Sequence, residues 1–266
     1  MDCREIIKAK ITIPSLVGLW TRSLIEWGDG RRDESTKVFW LQGKNHFIDL
    51  RQPASLPRFP DRKCRDDLTH QDCLALSRQE GFAGHLQTHG DAYEWIRMID
   101  YQPAQSIADA GFLHWQNTTL IEKGRDLPYT EYWHREKGFT SSIPLHLQLE
   151  DPANGCRAAF LMVGRDFMFT RERSLSVPTD MTLHEAVSQA SNEEHARQLV
   201  DCEISFGKIA EAGGPLIIHN STLPWKTGTS FQFDLSGETI VTIPDIAPNG
   251  KNLTRRWHRV HTEGNY

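Results

Sequence analysis

The sequence predicts an all-β protein of two tandem antiparallel β-barrels, each with one short helix. Short alternating strands, separated roughly every 8 to 12 positions by turn residues, are typical of sheets that close on themselves. The two halves also end alike, at Trp133-His134-Arg135 and at Trp257-His258-Arg259. We therefore expect one barrel over residues 11–137 and a second over residues 138–262.

Landmarks at a nearly constant spacing support the repeated plan. Gly43 and Gly164 are 121 positions apart, and each lies between two hydrophobic strands. Pro103 and Pro224 are also 121 positions apart, and each follows a predicted strand. Three separated landmarks, counting the closing Trp residues, thus hold almost one offset over most of each half.

In the first half, period-two alternation predicts a strand that ends at Trp27, and Gly28-Asp29-Gly30 is a strong turn signal. A hairpin follows around Gly43. Thr69 and Asp72 resemble a capping box, which predicts a helix to about Glu80. Further strands are predicted at residues 81–85, 93–99, 111–115, 119–122 and 129–135.

The second half repeats this order. A hairpin is predicted around Gly164, and a capping box at Thr182 and Glu185 predicts one helix to about Val200. Further strands are predicted at residues 145–149, 203–209, 216–219, 230–233, 239–243 and 254–260.

Composition narrows the function classes. A net charge of −5 and a pI near 6.2 provide no basic field, so we expect neither nucleic-acid nor membrane binding. The five cysteines include no C-x-x-C pair, and the N-terminus lacks the apolar core of a secretion signal. These features are typical of reduced thiols in a cytoplasmic protein.

Local motifs for cofactor or metal chemistry are missing from the sequence. It contains no glycine-rich phosphate loop, no G-x-S-x-G nucleophile motif, and no H-x-H or H-E-x-x-H spacing. We therefore expect no cofactor and no metal site. His134 and His258 each lie between a Trp and an Arg, but strand alternation turns them to the face opposite those neighbours.

Tryptophan followed two residues later by arginine is over-represented. Composition alone predicts fewer than one such pair, yet four occur: Trp20/Arg22, Trp95/Arg97, Trp133/Arg135 and Trp257/Arg259. Residues i and i+2 of a strand share a face, so each pair places a ring beside a guanidinium.

Two interpretations of these pairs stay open. In the structural one, the rings fill the barrel and the arginines stack on them or are neutralised by nearby acids such as Glu131 and Asp49. In the functional one, the same face lines a cavity in which arginines bind an anion and rings hold its apolar body. The predicted ligand-binding residues are Trp20, Arg22, Trp40, Trp95, Arg97, Trp133 and Arg135.

Gly18-Leu19-Trp20 resembles the G-x-W motif of lipocalins, in which the ring closes one barrel end and an arginine from the last strand packs over it. Arg135 is placed to supply that arginine. With the tandem plan, the apolar stretch 159–164 followed by Arg165, and Glu131-x-Trp133, the chain is similar to the Hri-type family of tandem lipocalin-like (calycin-like) proteins of fungi and bacteria. The resemblance implies two lipocalin-like barrels and no established activity. No G-x-W opens the second half, so that barrel must close differently.

The function predicted from the sequence is binding of a small anionic, aromatic or acyl ligand in the first barrel. A cofactor-independent lyase or isomerase is the first alternative, and it would need an inward-facing acid–base pair with perturbed pKa values. An interaction scaffold without a working cavity is the second. Packing inside the barrels discriminates among the three.

Overall fold

The computed structural model describes residues 11–103, 106–137, 143–210, 213–235 and 239–264. Their strands are antiparallel and form two barrel-shaped sheets, which confirms the predicted fold class. β9 ends at Arg135 and β10 begins at Leu145, on either side of the boundary predicted at residues 137 and 138. That boundary stays a prediction, and residues 138–142 lie outside the described part of the chain.

The first sheet closes on itself. Its order is β2-β1-β3-β4-β5-β6-β7-β8-β9, and β1 also pairs with β9 along nearly its whole length. The strands are β1 (Gly18–Trp27), β2 (Arg32–Asp33), β3 (Lys37–Gln42), β4 (His46–Gln52), β5 (Glu80–His89), β6 (Ala92–Asp100), β7 (Ala110–Gln116), β8 (Thr119–Gly124) and β9 (Tyr129–Arg135). We call this sheet barrel 1.

The second sheet, barrel 2, is nearly closed. Its order is β15-β14-β13-β12-β11-β10-β17-β16, and within the described residues one isolated bridge, between Asp234 and Thr242, lies on the side between β15 and β16. The strands are β10 (Leu145–Glu150), β11 (Arg157–Val163), β12 (Asp166–Arg171), β13 (Glu203–Ile209), β14 (Leu216–Ser221), β15 (Ser230–Phe231), β16 (Ile240–Ile246) and β17 (Asn252–Glu263).

The two barrels follow one strand plan. With the two-residue strand β2 left out of the count, the first strand of each barrel pairs with both the second and the last, and the helices lie between the third strand and the fourth. Leu120 faces Trp133 across β8 and β9, as Val241 faces Trp257 across β16 and β17. The predicted spacings of 121 and 124 positions therefore connect residues at corresponding places in the two sheets.

The helices differ from the prediction in the second half. Helix α1 (His70–Leu76) begins at the predicted capping box, where the Thr69 side chain accepts from the Asp72 N–H. The single helix expected to reach Val200 is instead two helices, α2 (Leu183–Ser188) and α3 (Glu193–Leu199). Asn192 breaks the run because its backbone is extended and its side chain accepts from the His195 N–H, which caps a new helix.

Three hydrophobic clusters stabilise the fold. One fills barrel 1, one fills barrel 2, and a third lies between the barrels, where Leu41, Ile48, Leu161 and Ile204 pack together with the helices. The interface is therefore a continuous apolar core. Within the described residues, no helix is both long and apolar enough to cross a membrane.

Candidate functional site

The predicted tryptophans meet inside barrel 1. Trp20 stacks on Trp40 with ring centroids 5.6 Å apart, and Trp40 meets Trp95 and Trp133 edge-on at 5.8 and 5.4 Å. All four rings are buried. Such contacts stabilise a core by about 0.5–1.5 kcal/mol per pair beyond the area that they bury. The rings therefore fill the interior that the functional interpretation left open for a ligand.

Strand register explains the Trp-x-Arg motifs of β1 and β9. These strands run antiparallel with Trp20 opposite Arg135 and Arg22 opposite Trp133, so each ring faces an arginine of the other strand. The Arg135 guanidinium lies 4.6 Å from the Trp20 ring centroid and donates to the Ser15 carbonyl oxygen. The contact expected from the G-x-W resemblance is thus present.

The other predicted arginines of barrel 1 are paired with carboxylates. Arg22 forms ion pairs with Glu131 and Asp33, and its side chain is almost fully buried. Arg97 binds Asp100 and Asp109 at 3.0 and 2.7 Å, and its guanidinium lies 3.5 Å from the Phe82 ring centroid. Neutralisation by acids, one of the two open interpretations, therefore describes both arginines.

Two buried carboxyl groups complete this polar interior. Glu122 and Glu131 lie directly opposite each other on β8 and β9. Burial and the neighbouring Glu131 carboxylate hold the pKa of Glu122 well above its usual range. The Glu122 carboxyl accepts hydrogen bonds from Tyr129 Oη (2.8 Å) and Trp133 Nε1 (3.1 Å). Burial also raises the pKa of Asp49 to about 6, against the attraction of Arg51.

The space beside these carboxyls is very small. A cavity of about 10 Å³ lies among Trp40, Asp49, Phe82 and Glu122. A cavity needs about 10–15 Å³ to hold one water molecule. A substrate therefore has no room beside the Glu122/Glu131 pair, although the pair has the inward position that the enzyme alternative requires.

A much larger cleft, about 750 Å³, lies where barrel 1 meets barrel 2. It opens where β6 and β7 diverge, beyond a short ladder that ends with the Trp95 N–H donating to the Asp109 carbonyl oxygen at 2.8 Å. Residues 94–100 and 106–110 form its barrel 1 wall, and residues 172–179, after β12, contribute the opposite wall. We call it the junction cleft.

Two arginines of the junction cleft, Arg157 and Arg173, differ in how many hydrogen-bond and ion-pair partners they have. Arg157 forms a two-point ion pair with Glu172, at 3.1 and 2.6 Å. Arg173 is 8% exposed, lies 5.4 Å from the Tyr101 ring centroid and donates from one terminal nitrogen to the Tyr101 carbonyl oxygen. Its Nε has no hydrogen-bond partner among the described residues. Asp100 and Glu172 attract Arg173 electrostatically, but they are ion-paired with Arg97 and Arg157. Arg173 is therefore a buried cation held without a counter-charge in direct contact.

Exposed apolar side chains border the same cleft. Ile107 and Leu127 are 46% and 47% exposed, and Leu175 and Val177 extend the apolar surface along the cleft. An apolar rim beside a buried cation matches the usual composition of small-molecule sites.

The structure places the seven predicted residues in two environments. Arg97 and the backbone side of Trp95 border the junction cleft, although the Trp95 ring lies inside barrel 1 against Trp40. Trp20, Arg22, Trp40, Trp133 and Arg135 lie in the filled interior of barrel 1 or where β1 pairs with β9. Ligand binding by these residues stays a prediction. Sequence reasoning missed Arg173 because no local pattern distinguishes it from the other arginines.

Fold and cleft together define a two-barrel antiparallel β protein with a ligand-sized cleft at the barrel junction. A solved structure with a similar fold is that of an uncharacterized protein, YLR301w, from Saccharomyces cerevisiae, with a TM-score of 0.54. It is 12% identical in sequence, and the match covers 92% of this chain and 98% of that one. No family model and no curated protein matches the chain.

Proposed function

We propose that the protein binds a small molecule with an anionic group and an apolar body in the junction cleft. The observation that carries the proposal is Arg173, a buried residue lining a cleft of about 750 Å³, whose Nε has no hydrogen-bond partner among the described residues. The acids that attract it from a distance, Asp100 and Glu172, are ion-paired with Arg97 and Arg157. A buried charge that no carboxylate contacts directly is costly, and an anionic ligand in contact with it relieves that cost.

The cleft has the size and chemistry for such a ligand. Pockets that hold drug-sized molecules span roughly 300–1,000 Å³ and combine an apolar lining with a few polar anchors. Arg173 is the anchor, and Ile107, Leu127, Leu175 and Val177 form the apolar surface. A carboxylate fits this anchor because guanidinium and carboxylate groups match in planar hydrogen-bonding geometry.

Two predicted residues keep a role in this proposal. Trp95 borders the cleft with its backbone, and its ring is buried just behind that wall against Trp40, so it provides a fluorescent reporter. Arg97 lies in the wall with Asp100 and Asp109, so its net field on a ligand is weak. The proposed site is therefore at the wall of barrel 1 and not among the stacked rings inside it.

The test is a titration of the purified protein with aromatic and acyl carboxylates, followed by tryptophan fluorescence. We expect Arg173→Met to weaken binding at least about tenfold, which is the loss of one charge-assisted hydrogen bond, and Arg173→Lys to retain part of the affinity. Leu127→Asp tests the rim without touching the buried arginine. Its matched control is Val260→Asp, which changes an aliphatic residue that is 57% exposed outside the cleft.

Equal affinities in Leu127→Asp and Val260→Asp would contradict the proposal, as would no response of the folded wild-type protein to any carboxylate. Circular dichroism of each variant separates a lost site from a lost fold. A response abolished by Trp40→Phe but unaffected by Arg173→Met would place the ligand inside barrel 1 instead.

A further inference from the structure

Histidines from both barrels gather at the contact between them. His46 on β4 lies opposite His85 on β5 in barrel 1. His146 on β10 lies opposite Glu263 on β17 in barrel 2, and His261 is two positions before Glu263. Four imidazoles and one carboxylate thus come from four strands of two sheets.

Three of these side chains are close enough to share one ion. The ligand atoms of His46, His146 and Glu263 all lie within 4.8 Å of one another. The His46 and His146 rings stack at 3.8 Å with planes 9° apart, and His46 Nδ1 shares a hydrogen bond of 3.1 Å with Glu263 Oε2. Asn45 Nδ2 donates to the other Glu263 oxygen at 2.8 Å, which fixes the carboxylate.

A second, independent observation points to a missing partner. His146 is 4% exposed, and its Nδ1 has no hydrogen-bond partner among the described residues. Buried ring nitrogens are nearly always satisfied, so an open nitrogen inside a histidine cluster needs a reason. A coordinated cation supplies one.

We propose that His46, His146 and Glu263 bind one divalent transition-metal ion of the zinc type at the contact between the barrels. Two imidazoles and a carboxylate suit Zn²⁺ and its first-row neighbours, whereas Ca²⁺ and Mg²⁺ prefer sites made of oxygen atoms. In such a site each ligand atom lies about 2.0–2.2 Å from the ion. His261, with its ring 5.9 Å from that of His46, is the nearest further imidazole.

The position of the cluster gives a bound ion a structural role. His46 belongs to barrel 1, whereas His146 and Glu263 belong to barrel 2. An ion held here joins β4 of barrel 1 to β10 and β17 of barrel 2, so binding stabilises the two-barrel arrangement.

The experiment uses the full chain, stripped with a chelator and titrated with Zn²⁺ by calorimetry and with Co²⁺ by visible ligand-field absorption. We expect one ion per chain, a rise in melting temperature with Zn²⁺, and no rise with Ca²⁺. His46→Gln, His146→Gln and Glu263→Gln should each weaken binding at least about tenfold. The matched control is His89→Gln, an exposed histidine on the same strand as His85, which should leave binding unchanged.

No binding by the folded wild-type protein would overturn the proposal, and so would equal losses in His89→Gln and the three ligand variants. Glu263→Gln is the variant least expected to disturb folding. Glu263 is the last residue of β17, and a glutamine there still offers an oxygen to the Asn45 side chain. The junction-cleft titration is independent of this result, since none of its lining residues is a proposed ligand of the ion.

Discussion

The two barrels share a strand plan but fill it with different chemistry. Barrel 1 contains stacked tryptophans and buried ion pairs, whereas barrel 2 contains a phenylalanine cluster centred on Phe160 and Phe231, whose rings stack at 5.6 Å. In the barrel 1 interior Trp40 lies opposite Asp49 across β3 and β4, whereas in barrel 2 Phe160 lies opposite Phe169 across β11 and β12. The shared plan therefore does not dictate one type of core.

The most informative difference lies beside the closing tryptophans. Glu122 faces Glu131 in barrel 1 at the positions where Ile243 faces Arg255 in barrel 2. Trp133 Nε1 donates to Glu122, while Trp257 Nε1 has no hydrogen-bond partner among the described residues. Glu122 thus accepts the hydrogen bond of the Trp133 N–H, whereas Ile243, at the corresponding position of barrel 2, has no acceptor for the Trp257 N–H.

The buried charges also differ in balance. In barrel 1, Glu131 binds two arginines next to the second carboxyl, Glu122. In barrel 2, Asp245 forms ion pairs with both Lys226, at 2.6 Å, and Arg255. Carboxyl groups lie close to one another in barrel 1, whereas cations surround Asp245 in barrel 2. We therefore expect the stability contributed by the two sets of acids to depend on pH in opposite directions.

Removing the Glu131 carboxylate from the interior of barrel 1 should lower the free energy of unfolding more than any other change proposed for the two barrels. Glu131→Ala leaves Arg22 and Arg51 buried without the carboxylate that they share, and such losses cost about 3–5 kcal/mol. The free energy of unfolding, measured with urea, is the readout. Glu26→Ala is the control, because Glu26 pairs with Arg32 near the surface and such pairs contribute about 0–1 kcal/mol. Similar losses in the two variants would show that the interior pairs are not the stabilising ones.

The opposite pH responses can be measured directly. Burial raises the pKa of Asp49 from 3.8 to about 6, so its folded state binds a proton that the unfolded state has released. Its contribution to stability therefore falls as pH rises from about 4 to about 6, by up to about 3 kcal/mol. Burial would also raise the pKa of Asp245, but Lys226, Arg171 and Arg255 outweigh it and lower that pKa to about 2. Its contribution is complete above pH 4 and is lost below.

The measurement compares Asp49→Asn and Asp245→Asn with the wild-type protein in urea between pH 4 and pH 7. The stability difference for Asp49→Asn should change across pH 4 to 6, in the direction that favours the variant as pH rises. The difference for Asp245→Asn should stay level over the same range. Two parallel curves would mean that burial at Asp49 is relieved in solution.

Local patterns predicted most of the fold. Alternation and turn residues identified the hairpins at Gly43 and Gly164, and the capping boxes identified where α1 and α2 begin. The predicted single helix runs through Asn192, although asparagine is among the strongest N-cap residues and caps α3 here. The incomplete closure of barrel 2 depends on which strands pair across the sheet, and periodicity does not encode that choice.

The candidate sites were harder to predict because their residues are distant in sequence. The Trp-x-Arg excess identified the interior of barrel 1, but the partner of Arg22 is Glu131, more than 100 positions away. Arg173 has no neighbouring pattern of its own. His46 and His146 are isolated histidines on separate strands, so spacing rules for metal motifs do not detect them.

The smallest predicted effect is also the sharpest test of the comparison between barrels. Trp133→Phe and Trp257→Phe remove the same atoms from corresponding positions, but only the first breaks a hydrogen bond to a described residue. Leaving a buried polar group without its partner costs about 1–3 kcal/mol. We therefore expect Trp133→Phe to lower the free energy of unfolding by about 1 kcal/mol or more beyond Trp257→Phe. Glu122→Gln, which keeps an acceptor for the ring, should retain most of the stability, whereas equal costs for the two tryptophans would mean that Trp257 Nε1 is satisfied in solution.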